Sequence, residues 1–474
     1  MKKRVRQATG LTEETPGVVP ACEARKATGR KPSKKASVSA QFADAASCRS
    51  HAAAWLNAAR EDIAAKHGGD LMVHNAGQEH ALIRGVPLPA LALEYLFQNT
   101  VLPLGGRVTQ IVGLPGSCKS GLAIEFGRWF IDSGGVVVYR EHESKYSPDW
   151  VPSIIGWDRQ DSFMLHACHS INDWQNSLLT WDAKIQEMMD GKSAKEPGPG
   201  AVYPVLNVVD SVMGKSMEES QDRVVAAGHA GRDHPVEAGS ITKFMRAYPQ
   251  RVANWPFHTI LINHLRLSKD PTTQAKVRDK PGGWQKDFQE TFEVESSKIG
   301  AISTAEFDGL RLQLQTYKNS LGTGGRRIEV CVRWWEEDDP ERPGEYRQKT
   351  VWDWDEATIL LLAKHLQPEA RRNRAKKLLD LSVNDRGLVT SKRLGVGVDG
   401  QPPASFAEAS AKLHADAELL RELRRVLGIK VRAVFTPGVD FREQMLGSRG
   451  AAAEAYKSEK AYRAAKQKKK RPFG

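Results

Sequence analysis

Short apolar runs alternate with longer amphipathic ones through the middle of the chain. The runs RVTQIVG, VVVYR, VLNVVDS and HTILINH are separated by KSGLAIEFGRWFIDSG, INDWQNSLLTWDAKIQEMM and the segment around ITKFMRAYPQRVAN. The first set has the length and β-branched content of strands; the second carries apolar residues at helical spacing. Strands joined by crossover helices lie parallel and are covered on both faces, so the pattern predicts an α/β fold around a central, mostly parallel twisted sheet. Farther on, LRLQLQTYKN and RRIEVCVRWW alternate apolar with polar residues and flank a turn-like LGTGG, the pattern of antiparallel strands at one edge of that sheet.

The flanks read differently. Residues 1–40 mix Lys, Arg, Thr, Pro and Gly without period and predict a flexible basic arm, and an Ala-rich stretch over 41–66 predicts a helix ended by Gly68 and Gly69. GKSAKEPGPGAVYP, between 190 and 204, predicts a surface loop. Past residue 340 the pattern turns helical, with ATILLLAKHL, the basic EARRNRAKKLLDL and FAEASAKLHADAELLRELRRVLG. The expected organisation is an arm (1–40), a helix and strand region (41–100), the α/β core (101–340), a mostly helical basic region (341–450) and a basic tail (451–474) whose helix frays.

A 474-residue chain with 40% hydrophobic residues can bury a large core and still carry extensions. The net charge of +12 is concentrated at both ends, which suits a polyanionic partner, although basic tails are also found merely solvated. Cys22, Cys48, Cys118, Cys168 and Cys331 include no CxxC pair, which points to a reducing compartment without structural disulfides or zinc. His166, Cys168 and His169 are the nearest approach to a metal cluster, on a strand running into a loop. No apolar run has the length of a membrane span, and no hydrophobic stretch follows the basic MKKRVRQATG, so a soluble, cytoplasmic protein is expected.

The sharpest local signal is Gly113, Leu114, Pro115, Gly116, Ser117, Cys118, Lys119 and Ser120, between a predicted strand and an amphipathic helix. Such a turn points backbone N–H groups, with the positive end of the helix, at a phosphate. Lys119 would neutralise the β- and γ-phosphates of ATP, and Ser120 would supply a hydroxyl to Mg²⁺. Cys118 stands where GxxxxGK[ST] has its last glycine, and a Cβ there costs on the order of 1 kcal/mol if φ is positive. VLNVVDS delivers Asp210 to the carboxyl edge of the sheet, where it can hold Mg²⁺ through its water shell. VVVYREHES delivers Glu141, His142 and Glu143, where a carboxylate could orient the attacking water or be only a solvated loop charge.

In this order the elements over roughly residues 55–335 resemble the RecA family of bacterial and phage recombinases. REDIAAKHGGDLMVHN resembles the family's amino-terminal helix and the strand that docks on a neighbouring subunit. VVYREHES is similar to its strand ending in Glu-His, which implies that Glu141 is the catalytic carboxylate, and VVDSV, 208–212, to its magnesium-binding strand. IGWDRQDSFMLHACHSINDWQNSL, 155–178, resembles the segment leading out of the base pocket, near which Trp150 or Tyr146 would cover adenine. HTILINHLR resembles the strand whose Gln senses the γ-phosphate; His264 stands there, also a hydrogen-bond donor. LQTYKNS resembles the strand whose two lysines reach a neighbour's ATP; Lys318 matches the first, and Ser320 replaces the second.

The resemblance also implies two DNA-facing segments. One runs from about 213 to 239 with Lys215, Arg223 and Arg232. The other runs from about 266 to 295 with Arg266, Lys269, Lys276, Arg278, Lys280, Gly282, Gly283, Trp284 and Lys286. Cations and backbone N–H groups there would track phosphates without reading bases, and Trp284 would stack or wedge, or anchor the loop on the core. The implied activity is that of a DNA-dependent ATPase. It would form a helical filament on single-stranded DNA and promote homologous pairing and strand exchange with double-stranded DNA in recombination and repair. Divergence from cellular relatives and the unusual ends point to a bacterial virus, acting in its host's cytoplasm. The alternatives are a RecA-core motor, either helicase or packaging ATPase, and a nucleotide-gated DNA scaffold with weak hydrolysis. The Lys-rich tail should attract duplex DNA or a single-stranded-DNA-binding protein. Deleting residues 452–474 is therefore expected to weaken duplex binding and flatten its salt dependence; an unchanged slope of affinity against salt would count against this role.

Overall fold

The structure, a computed structural model, describes residues 83–143, 147, 149–189, 203–212, 234–269, 276–279, 289–365, 379–437, 441 and 444, all in the unit that spans Asn75–Gly474. The expected basic arm, the 41–66 helix, most of the 190–204 loop, most of EARRNRAKKLLDL and the tail lie outside the described residues. In chain order the strands are β1 (Arg84–Pro87), β2 (Val101–Pro103), β3 (Arg107–Gly113), β4 (Val136–Glu141), β5 (Phe163–Ala167), β6 (Val205–Asp210), β7 (Phe257–His264), β8 (Arg266–Lys269), β9 (Lys276–Asp279), β10 (Phe292–Ser303), β11 (Asp308–Asn319), β12 (Arg327–Asp338), β13 (Tyr346–Asp353), β14 (Ser382–Val383), β15 (Val389–Thr390) and β16 (Ala433–Val434). The helices are α1 (Leu91–Phe97), α2 (Lys119–Asp132), α3 (Trp150–Ile155), α4 (Ile171–Met189), α5 (His234–Arg251), α6 (Trp354–Leu360), α7 (Phe406–Ala415) and α8 (Ala417–Val426).

A nine-stranded sheet in the order β13-β12-β11-β10-β3-β7-β6-β4-β5 forms the centre. It is parallel from β10 to β5 and antiparallel from β10 to β13. The fold is thus a mixed α/β one around a large, mostly parallel sheet. Neighbouring residues of β7 show that the sheet is covered on both sides, because side chains alternate along a strand. His258 lies 6.4 Å, ring to ring, from Phe130 of α2, whereas the Thr259 hydroxyl meets Tyr248 Oη of α5 at 3.2 Å. The face toward α4 and α5 carries a buried polar chain. Arg140 donates to Ser177 (2.9 Å) and Asn207 (3.0 Å), Asn207 donates to Asp182 (3.1 Å), and Tyr248 donates to the other oxygen of Asp182 (2.8 Å). Both helices are thereby fixed in register on β4 and β6, since each donor left without its acceptor would cost about 1–3 kcal/mol.

Two strands of this sheet escape the sequence pattern. β10 opens apolar and ends polar, and β13, YRQKTVWD, alternates too weakly to stand out, so the sheet runs past residue 340, where the pattern had pointed to helices. FAEASAKLHADAELLRELRRVLG is divided into α7 and α8 by Asp416, whose carboxylate accepts from the Leu419 N–H at 2.9 Å. Leu413, Leu419 and Leu423 of these helices join the same apolar cluster as the sheet. The Arg424 guanidinium grips the buried Glu94 of α1 through two hydrogen bonds of 2.7 and 2.6 Å, and β16 pairs with β1. Among the described residues no helix is long and apolar enough to cross a membrane.

Buried beneath α2, the His258 Nδ1–H donates to the Pro103 carbonyl (2.7 Å), which leaves Nε2 to accept from the Thr109 hydroxyl (2.9 Å). Burial, with a smaller push from Arg107 and against the pull of the Pro103 hydrogen bond, holds this imidazole down from 6.5 to about 4. Its neutral form is the one that fits, so the unfolded chain takes up the proton first as pH falls. The resulting stability is present in full above about pH 6.5 and is lost as pH falls toward 4, up to about 3 kcal/mol in all. His258→Gln, which keeps one donor and one acceptor, is expected to lose less stability than the parent between pH 7 and 5 in urea unfolding. Equal losses would refute the assignment.

Candidate functional site

Between β3 and α2 the chain makes a turn that only particular residues tolerate. At Gly113 an added Cβ would lie 2.4 Å from both Ser117 Oγ and the Ser296 carbonyl of β10, so the close approach requires glycine. Gly116 (φ 73°) and Cys118 (φ 57°, ψ 32°) are both left-handed. The position that departs from the phosphate-loop pattern thus has the backbone that the pattern's glycine serves. Space for the thiol comes from one turn into α2, where a Cβ on Gly121 would stand 2.7 Å from Cys118 Sγ. Burial pushes the Cys118 thiol up to about 11 despite the neighbouring Lys119, so it packs as a neutral group. The Leu114 carbonyl gathers Lys119 Nζ (2.9 Å), Ser117 Oγ (2.8 Å) and the Ser117 N–H (3.3 Å), while Ser296 Oγ donates to the Ser117 carbonyl (2.5 Å).

Facing the turn are the ends of β4 and β6, paired so that Glu141 lies opposite Asp210. Tyr139 Oη donates to Asp210 Oδ2 at 2.5 Å, and the Ser120 hydroxyl at the start of α2 bonds both groups. Burial raises the Asp210 carboxyl above its ordinary value, Glu143 and Glu141 add to the rise, and the Ser120 and Tyr139 hydroxyls pull against it. Tyr139 is itself held far above its usual range by burial and by Asp210, so it serves as a donor. A cavity of about 310 Å³ opens here, with Ser120, Tyr139, Glu141, Glu143 and Asp210 on its polar side and Ile124, Trp150 and Val151 on its apolar side. The indoles of Trp150 and Trp352 both approach Gly121, at 3.7 and 3.6 Å from where its Cβ would stand. α3, which carries Trp150, is tied to β13 by the Ser153–Thr350 hydroxyl pair (2.9 Å), and the turn just after it by Trp157 Nε1 to the Gln348 carbonyl (3.4 Å).

His264 ends β7 in register with Gly113, and the Leu265 N–H donates to the Gly113 carbonyl (3.0 Å). Its Nε2 lies 2.6 Å from Glu143 Oε1, the oxygen that also accepts from Ser211 Oγ at 2.8 Å. Directly after it the chain forms the β8–β9 hairpin, which carries Arg266, Lys269, Lys276 and Arg278. Lys280, Gly282, Gly283, Trp284 and Lys286 lie outside the described residues, as do Tyr146, Lys215, Arg223 and Arg232. Lys318 stands opposite Glu293, at the level of Gln110 in the middle of β3, and is not among the residues that line the cavity. His166 Nδ1 meets Ser177 Oγ at 2.6 Å, Cys168 is buried and His169 exposed. Among the described residues no group of three His, Cys, Asp or Glu side chains is arranged to hold a metal.

Tyr139, Ser211, Ser296, Gly121 and Trp352 are the site's unanticipated members. Only Tyr139 had a local signal, a polar-tipped ring two residues before a strand end; the others depend on strands that meet in space. No family model matches the chain, and no curated protein matches it. The fit of Cys118 against Gly121 generates a test by double substitution. Gly121→Ala should be better tolerated in a Cys118→Gly background than in the parent, by about 1–2 kcal/mol in denaturant unfolding. Additive effects would mean that the thiol does not occupy the glycine's space.

Proposed function

We propose that this protein is an ATPase of the RecA type that assembles as a helical filament on single-stranded DNA and promotes homologous pairing and strand exchange with duplex DNA. The observation that carries the reading is the convergence on one cavity of Ser120, at the end of the 113–120 turn, with Asp210 and Glu141, from three different strand ends. The left-handed backbone at Gly116 and Cys118 and the amino end of a 14-residue helix suit a triphosphate. The residues present also fit a hard divalent cation. Ser120 and Asp210 offer adjacent oxygens, and the buried Asp210 carboxylate, with Glu143 and Glu141 beside it, is a group that positive charge stabilises. Mg²⁺, when bound, supplies charge neutralisation between the β- and γ-phosphates.

The roles of the chain's own groups follow. Lys119 exchanges the Leu114 carbonyl for a phosphate oxygen, and the buried Glu141 orients and deprotonates the attacking water. Trp150, on the apolar side of the cavity, covers the base. His264 senses the terminal phosphate and, being continuous with the β8–β9 hairpin, passes the state of the site to cations that hold the DNA backbone. Lys318, which does not line this cavity, serves a neighbouring subunit's nucleotide in an oligomer.

ATP hydrolysis in the presence of single-stranded DNA tests the reading. Lys119→Ala should lose nucleotide binding, and Glu141→Gln should keep binding while turnover falls by about 10²–10⁴-fold. Equal inactivity of both variants and the parent would leave a nucleotide-gated scaffold in place of an ATPase.

A further inference from the structure

The Glu143–His264 contact asks for an account of its own, because Glu143 lies two residues past the proposed catalytic carboxylate and lines the same cavity as Ser120 and Asp210. One of its oxygens holds two donors from two other strands, His264 Nε2 at 2.6 Å and Ser211 Oγ at 2.8 Å. The backbones around this oxygen are pinned. The His142 N–H donates to the Asp210 carbonyl (2.7 Å), the Val212 N–H to the Ile262 carbonyl (3.0 Å), and the Leu265 N–H to the Gly113 carbonyl (3.0 Å). The His264 N–H is bonded to Asn263 Oδ1 at 3.0 Å. With the main chain of three strand ends fixed, the His264 side chain has the freedom to change partner. Against an ionised carboxylate Nε2 must be the donor, and a single N–H points at one acceptor. It can serve Glu143 or a phosphate oxygen, but not both, and the negative charge of a terminal phosphate further weakens its neighbour's hold.

We propose that Glu143 is a positioning residue that holds His264 in the nucleotide-free state and competes with the terminal phosphate for it, so that it sets the level of triphosphate at which the hairpin responds. The inference rests on the reading of this cavity as a nucleotide site. It assigns to the side chain after Glu141 and His142 a latch function. Without the latch, His264 would already be available and triphosphate would bind more tightly, whereas a diphosphate, which offers no terminal phosphate there, would not notice the difference.

Affinities of the full chain for ATPγS and for ADP, both with Mg²⁺, separate the possibilities in four proteins: parent, Glu143→Ala, His264→Ala and the double variant. Glu143→Ala is expected to tighten ATPγS by about tenfold and to leave ADP within about twofold. In the His264→Ala background the same change should move ATPγS by less than about twofold, since the latch then has nothing to hold. A tightening that persists without His264 is plain relief of charge repulsion and overturns the proposal, as does an equal effect on ATPγS and ADP. Glu143→Gln, which keeps an acceptor for Nε2 and the shape of the side chain, should fall between the parent and Glu143→Ala; a Gln variant as tight as Ala would also overturn it. Parent protein that binds neither nucleotide would refute the nucleotide site itself, a result distinct from binding that is unaltered by Glu143.

Discussion

A strand covered on both faces can carry a charge at its end, or inside only where buried partners satisfy it, as Ser177 and Asn207 do for Arg140, and the structure follows from that constraint. β4, β6 and β7 run parallel through the middle of the sheet with almost no exposed side chain, and each releases its polar residues at the same edge: Glu141 and Glu143, Asp210 and Ser211, His264. Because parallel strands place their carboxyl ends together, groups far apart in sequence meet within hydrogen-bonding distance. β3 brings its turn to that edge, and α2, which must return across the sheet, starts there with its positive end outward. The cavity is the space left where the ends of β3, β4 and β6 diverge.

Holding this edge in one arrangement takes more than apolar packing. The chain Arg140–Asn207–Asp182–Tyr248 is buried on the α4 and α5 face, and a sliding of either helix would break several of its bonds at once. On the α2 face, Glu125 accepts from the indoles of Trp129 (3.1 Å) and Trp354 (2.8 Å), which fixes α2 to the segment that follows β13. Trp352 stacks on Trp354 with the rings 5.6 Å apart and reaches Gly121. The antiparallel extension β10–β13 is thus part of the site's support: Ser296 steadies the turn, and β13 anchors the helix that carries Trp150. A left-handed Cys118 survives in such a setting because its neighbours give the thiol a place and the turn is held from outside.

Much of this was legible in the chain itself. Uniform apolar runs separated by helical stretches required a parallel sheet covered on both sides, and the turn 113–120, Asp210, Glu141 and His264 all stood at recognisable strand ends. The alternating pattern of LRLQLQTYKN and RRIEVCVRWW marked β11 and β12 as an antiparallel pair, but the edge expected of them is taken by β13. These are local properties: periodicity, glycine content and the residue on which a run stops are written along the sequence. The polar β13 and the mixed β10 were not readable in that way, because their partners, rather than their own patterns, make them strands.

Only the tertiary structure decided which groups touch. The sequence determined that carboxylates, a lysine and a histidine would emerge at one edge, since burial admits no other exit for them. It did not determine that Glu143 would take His264 and Ser211 as partners, that Cys118 would lie against Gly121, or that Trp150 would share the cavity with Asp210. Those contacts depend on strand order and register, in which β6 lies between β4 and β7, and order and register are set by the summed packing of the whole sheet.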